Sequence, residues 1–261
     1  VSGVYLVTKD QIFLSQAAPD LTPQNITFTN TTDDSIVISW QTNSAATSFV
    51  TYGQSSPNEQ TVLEDRDNNA PKPHLIHYIT LKNLLPKTTY QFKIISGKLT
   101  SDILRFETAT PLTNQTGFTP LIGSVLDGER PLDSGVAQLF IEGAIAQSAL
   151  IKEGNFLIPL SELRKTDLSD VYQLAEGTTA KLTISSDKGE TEVLLDLKSN
   201  STPLSPIKLG QNTDLTIPET TTPINSAVLD TNSYDLNADG VVNTADYAFI
   251  LRNRGKQPEN E

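Results

Sequence analysis

The chain has 261 residues, of which 19 are Lys or Arg and 31 are Asp or Glu, for a net charge of -12. That sign repels a phosphate backbone and excludes nucleic acid as a partner. No stretch reaches the ~18 apolar residues of a spanning helix, and the absence of Cys removes disulfides and thiolate metal clusters.

Met is absent as well, so the chain is expected to be a processed form or a fragment. With neither sulfur residue it offers nothing to thiol or thioether oxidation, which suits an extracellular life. Apolar residues make up 37% of the chain, and Thr, Ser, Asn and Asp are plentiful. That mixture favours many short strands and turns over long helices.

Residues 1–20 open with the apolar run Val1-Ser-Gly-Val-Tyr-Leu-Val7, then Thr8-Lys9-Asp10-Gln11 and Ile12-Phe13-Leu14. The segment reads two ways: as an independent strand, or as the end of a membrane anchor whose remainder is removed or missing. Residues 21–110 read as a series of short alternating strands. Ile26 and Phe28 share one face of the first; Ile36, Ile38 and Trp40 share one face of the second, with Val37 and Ser39 opposite. Val50 and Tyr52 end a third at Gly53, followed by His77, Ile79 and Leu81, then Tyr90, Phe92 and Ile94, then Leu104 and Phe106. Period two in six segments implies a two-layer antiparallel sandwich in which each strand buries one face.

The run Ser35-Ile-Val-Ile-Ser-Trp40, the strand end Tyr52-Gly53 and Leu84-Leu-Pro86-Lys-Thr-Thr-Tyr90 resemble a fibronectin type III domain. Among its relatives it is most similar to the version ahead of purple acid phosphatase catalytic domains. The resemblance implies that Trp40 fills the core between the sheets and that Tyr90 forms a tyrosine corner, its hydroxyl bonding back to backbone. The His, Asp and Tyr ligands of the phosphatase catalytic domain have no counterpart here.

Residues 111–119 form a polar, Gly-punctuated linker. Residues 120–210 are again rich in strands: Gly123-Ser-Val125-Leu-Asp127, a turn with Pro131, Val136-Ala-Gln-Leu-Phe-Ile141, Gly154-Asn-Phe156-Leu-Ile158-Pro159-Leu160, Lys181-Leu-Thr-Ile184 and Val193-Leu-Leu195. These resemble the carboxypeptidase regulatory-like, transthyretin-like sandwich. A short helix is expected over Ser161 to Lys165, with an irregular loop to residue 180. Residues 211–226 close a Ser-, Thr- and Pro-rich connector that begins near 198 and stays extended.

Residues 227–261 hold the motif that carries chemistry, Asp235-Leu-Asn237-Ala-Asp239-Gly240-Val241-Val-Asn243-Thr-Ala-Asp246. Oxygen donors at positions 1, 3, 5, 9 and 12 of a loop, with Gly at 6, wrap a chain around one hard cation. Asp235, Asn237, Asp239, Asn243 and Asp246 supply side-chain oxygens, Val241 its backbone carbonyl, and calcium is the expected ion. Thr244 can cap the following helix, whose Tyr247, Ile250 and Leu251 share a face. Asp at position 12 and Asn at 9 resemble a dockerin repeat. Dockerins carry two repeats and this chain shows one, which puts cohesin binding in doubt.

His74 and His77 are the only histidines; three apart on a strand, they are expected on opposite faces. Glu64-Asp-Arg-Asp67 reads as a solvated turn. No Gly-x-Ser-x-Gly elbow or phosphate-cradling loop appears, so no enzyme is expected. Sequons at Asn25, Asn30, Asn114 and Asn200 occur about as often as chance allows in so Asn- and Thr-rich a chain. The stretch from Phe118 to Asp127 has no Lys, so no Lys-to-Asn cross-link is expected there.

The fold class is therefore all-β: two tandem antiparallel, Ig-like sandwiches with a short C-terminal calcium loop-helix. The order of parts is similar to that of modular bacterial envelope proteins, and a secreted or cell-surface location is expected. Two functions compete. In one the chain is a filament or surface assembly subunit whose Val1 to Leu14 segment adds a strand to another copy of itself, an addition that gives open fibres. In the other it is a monomeric, membrane-anchored adhesion module for a surface glycan or protein. An accessory subunit of a separately encoded enzyme is a third reading.

Overall fold

Strand-forming residues in the first half alternate apolar and polar, and the backbone follows that period. A computed structural model describes residues 20–67, 70–112, 120–197 and 203–216. Eight strands come first: β1 (Gln24–Thr29), β2 (Ile36–Ala46), β3 (Ser48–Gly53), β4 (Gln60–Leu63), β5 (His74–Leu81), β6 (Thr89–Ser96), β7 (Leu99–Thr100) and β8 (Leu104–Glu107). They form one sheet in the order β1-β2-β5 and a second in the order β4-β3-β6, with β7 and β8 both on β6. This is a fibronectin type III-like sandwich.

Its core comes from the inward residues of both sheets: Ile36, Ile38 and Trp40 face Val50, Tyr90, Phe92 and Ile94. Trp40 is 1% exposed and stacks on the His77 ring at 4.8 Å. Tyr90 stacks on Phe106 at 5.3 Å, and its hydroxyl accepts the Leu85 N–H at 2.8 Å. Both structural duties implied for Trp40 and Tyr90 are met.

The second set is β9 (Pro120–Asp127), β10 (Arg130–Pro131), β11 (Ser134–Ile141), β12 (Gln147–Lys152), β13 (Asn155–Pro159), β14 (Thr178–Ser186), β15 (Gly189–Leu197), β16 (Ile207–Lys208) and β17 (Thr213–Asp214). The order is β10-β9-β13-β12-β11-β14-β15-β17, with β16 on β9. β12 and β13 meet at the pair Lys152–Asn155, where the sheet folds over. Leu121, Val125, Phe156 and Ile158 from one half then share a core with Leu139, Leu182, Ile184 and Val193 from the other. Gly123 is required there, because a Cβ would stand 2.4 Å from the Phe156 ring.

Residues 203–216 close this sandwich along two edges. The Leu204 N–H donates to the Ile122 carbonyl and Leu209 to Leu126, each at 2.9 Å, while Leu215 donates to Leu194 at 2.8 Å. β16 lies parallel to β9 and β17 parallel to β15. Residues 211–216 are thus hydrogen-bonded along the edge of β15 while staying largely exposed, although composition reads them as the start of a linker.

Two local expectations are corrected. Ser161 to Lys165 is not a helix but a turn leading to isolated bridges, Ala144 with Lys165 and Arg164 with Val171. Its backbone groups are spent on distant partners: the Arg164 carbonyl accepts from Ile145 and the Leu163 carbonyl from Tyr172, each at 2.8 Å. His74 and His77 are not kept apart either; their rings lie 6.4 Å from each other. His74 is the first residue of its strand and pairs with Ala46 beyond a register shift in β2, so strict alternation does not govern it.

The two sandwiches belong to one compact unit, and the middle of β2 and of β5 is buried on both faces. From Ile36 through Trp40 every residue of β2 is buried. Even-period strands expose one face only when that face meets water; here it meets the second sandwich. Val37, Ile76 and Tyr78 pack on Val136, with Leu75 and Leu150 at the margin. Ser148 is the polar centre of the contact. Its N–H donates to Asn30 Oδ1 at 2.7 Å and its carbonyl accepts Asn30 Nδ2 at 2.9 Å. Its hydroxyl lies 2.5 Å from Thr29 Oγ1 and 3.1 Å from the Tyr78 hydroxyl. Gln138 Nε2 donates to Ser39 Oγ at 3.0 Å, and Arg164 Nη1 to the Thr110 carbonyl at 2.6 Å.

Candidate functional site

The residues expected to hold calcium, Asp235, Asn237, Asp239, Val241, Asn243 and Asp246, lie outside the described residues, as does Val1 to Leu14. Within the described residues, Glu64, Asp65, Arg66, Asp67, His74 and His77 form a group of ionisable side chains, most of them linked by hydrogen bonds and ion pairs. Sequence alone reads its first four members as a solvated turn. The structure places Glu64 and Asp67 at 4% exposure.

The turn follows β4 and runs beside the outer edge of β5, where three consecutive residues do the work of a missing strand. Tyr78 N–H donates to Glu64 Oε2 at 2.9 Å, and the Tyr78 carbonyl accepts the Asp65 N–H at 3.1 Å. Thr80 N–H donates to Asp65 Oδ1 at 2.9 Å, and the Thr80 hydroxyl to Asp65 Oδ2 at 2.5 Å. Arg66 donates through Nη2 to the Ile76 carbonyl and through Nε to Glu64 Oε1 at 2.8 Å. An open strand edge is a template for unwanted pairing, and this acid-rich clasp occupies it.

Asp67 organises the next loop. Its carboxylate accepts the Lys72 N–H at 2.9 Å and lies 2.7 Å from His74 Nε2. Burial raises its pKa, but those hydrogen bonds and the charges of His74 and Arg66 outweigh that and hold it below the ordinary value. Asp65 goes the other way: desolvation raises it in spite of the Thr80 bonds. Desolvation likewise pushes the Tyr78 phenol to about 12, so it remains a neutral partner of Ser148. His77 is fully buried, with Nδ1 3.6 Å from Glu64 Oε2 and Nε2 3.4 Å from both Thr42 Oγ1 and Ser48 Oγ.

This arrangement satisfies backbone groups of a strand edge, and Asp65, Tyr78 and Thr80 also line an open depression of about 620 Å³ together with Leu150 and Phe156. The signal that could have revealed the clasp lies in β5 itself. His74-Leu-Ile-His-Tyr-Ile-Thr-Leu81 carries no Lys, Glu, Asp, Pro or Gly, the residues that usually blunt an edge strand. Protection had to come from elsewhere in the chain.

A separate cleft of about 180 Å³ lies between the sandwiches. Its floor includes Ile76 and Val136, and its walls include Gln138, Thr183, Ser185 and Glu190. A second cavity of about 230 Å³ shares Gln41, Ile76, Ser185 and Glu190 with it.

Residues 22–108 match the family model of the purple acid phosphatase N-terminal domain. No curated protein matches the chain. Among solved structures, the short sensor domain of the anti-sigma factor RsgI4 from Pseudobacteroides cellulosolvens aligns at 21% identity and a TM-score of 0.28, over 37% of this chain and 100% of that one. PhoD aligns at 8% identity and 0.28, over 39% of this chain and 22% of its own. The fn3 domain of human contactin 1 aligns at 18% identity and 0.25, over 44% and 96%. Scores of this size carry no argument. The family match covers the first sandwich, and that stretch is similar to the accessory domain of purple acid phosphatases rather than to their catalytic part.

Proposed function

We propose that this chain is a non-catalytic structural or binding module, secreted or held at the cell surface, and that it works as an assembly subunit. The observation that supports this reading most is the double-sided burial of β2 and β5, through which the two sandwiches pack on each other. The Glu64–Asp67 cluster is likewise engaged in closing an edge. Packed bodies of this kind transmit force and present surfaces.

In the assembly, Val1 to Leu14 of one copy adds a strand to a sheet edge of the next. The first sandwich offers the edges of β1, β4 and β8 for it, since that of β5 is clasped. Calcium held by Asp235, Asn237, Asp239, Val241, Asn243 and Asp246 stabilises the C-terminal segment.

Electron microscopy of the full chain beside a form lacking residues 1–16 tests the assembly. Polymers are expected from the first and monomers from the second. Polymers that persist after the deletion would refute strand donation. The calcium component is read separately by melting. Millimolar calcium, the weak range of extracellular sites, should raise the melting temperature relative to chelator, and Asp235→Ala should abolish the gain.

A further inference from the structure

We propose that the cleft between the two sandwiches is a binding site for a neutral saccharide. It is a cleft of about 180 Å³, and a neighbouring one of about 230 Å³ shares Gln41, Ile76, Ser185 and Glu190 with it. Small-ligand sites favour junctions between domains such as this one.

The chemistry of the lining selects the ligand. Thr183 is 6% exposed and Ser185 is 4% exposed. Both line the cleft, and neither hydroxyl has a hydrogen-bond partner among the described residues. As cleft-lining hydroxyls without a protein partner, they are open to water or to a ligand. The Gln138 amide nitrogen is engaged by Ser39 Oγ, which leaves its carbonyl oxygen to accept. Glu190 adds an acceptor at the rim. Hydroxyls that both donate and accept, beside acceptor-only oxygens, match the alternating donors and acceptors of a sugar ring.

Ile76 and Val136 also line the cleft, but at 7% and 1% exposure they are taken up by the contact between the sandwiches, which leaves polar groups as the main contacts for a ligand. Phe140 is near, but Lys181 Nζ sits 5.6 Å over its ring, so aromatic stacking is not the main contact and affinity is modest. The charge of -12 and the Glu190–Glu192 rim disfavour an acidic glycan. This leaves an uncharged saccharide of one or two rings.

Amide chemical shifts of the full, isotopically labelled chain test the proposal. The titrants are glucose, N-acetylglucosamine and the β-1,4-linked dimers of each, up to tens of millimolar. Saturable shifts are expected at Gln138, Thr183, Ser185 and Glu190. Thr183→Val with Ser185→Ala removes both free hydroxyls and breaks no side-chain hydrogen bond among the described residues. It should weaken binding at least tenfold at an unchanged melting temperature. Absence of saturable shifts with all four sugars overturns the proposal, as do shifts confined to another surface or equal binding by the double variant. Saturation of the same residues by an extended uncharged peptide and not by sugars would overturn the ligand class.

Discussion

Tyr90 puts its hydroxyl where the Leu85 N–H needs an acceptor, 2.8 Å away, and the same ring covers Phe106. Tyr90→Phe keeps the ring contact and removes the acceptor, so urea unfolding should show a loss of about 1 kcal/mol, the usual worth of one such bond. Asp65 and Asp67, two positions apart, give opposite pH responses. The folded pKa of Asp67 is lowered, so its stabilising contribution is present above its unfolded value of about 4 and is lost as pH falls through the folded value. Asp67→Asn should flatten the fall in melting temperature on acidification. The folded pKa of Asp65 is raised by desolvation, so its contribution is present below about pH 4 and is lost as pH rises through the folded value. Asp65→Asn keeps an acceptor for Thr80 N–H and should be tolerated at neutral pH better than Asp67→Asn. The difference between the two variants, measured by melting at pH 7 and in acid, is the check.

At the scale of elements, edges matter more than faces. β9 and β15 are closed by residues 203–216, and β5 is closed by side chains. Glu64→Ala would strip the acceptor from Tyr78 N–H and leave Arg66 without its carboxylate, a loss of about 3 kcal/mol. It would also open an uncharged edge. Light scattering of the variant should show aggregation below its melting temperature, and a soluble monomer there would contradict the role assigned to the clasp. Much of each strand was legible in sequence, because Ile36, Ile38 and Trp40 keep a period of two and the core enforces it. The burial of Val37 and Ser39 was not, since period two marks a single face and says nothing of a second sandwich arriving from residues a hundred positions away. The same distance hid Ser148, a polar residue whose partners Thr29, Asn30 and Tyr78 all belong to the first sandwich. At 161–165, Leu160 and Leu163 are spaced as on a helix, but both are buried by tertiary contacts and the backbone pairs outward. The clasp escaped because charge composition gives no direction to a side chain.

For the whole molecule, the question is whether the two sandwiches are separate units in energy as they are in topology. Parting them would expose Val37, Ile76, Tyr78 and Val136. It would also cost Asn30 and Ser148 a reciprocal pair of bonds to side chain and backbone. Each isolated sandwich would then carry a large apolar patch of the kind monomers rarely show, with polar groups fitted to nothing. Loss of one sandwich therefore lowers the stability of the other, and the pair should unfold together. Hydrogen exchange read by mass spectrometry follows each half directly. Protection of peptides covering β6 and of those covering β14 should vanish over the same range of denaturant. Val136→Asp buries an unpaired charge in the contact and should separate the two losses, the first sandwich and the second then opening at distinct concentrations. If the two halves of the unaltered chain already open separately, the contact is too weak to make one body of them. The packed body on which the assembly reading depends would then be absent.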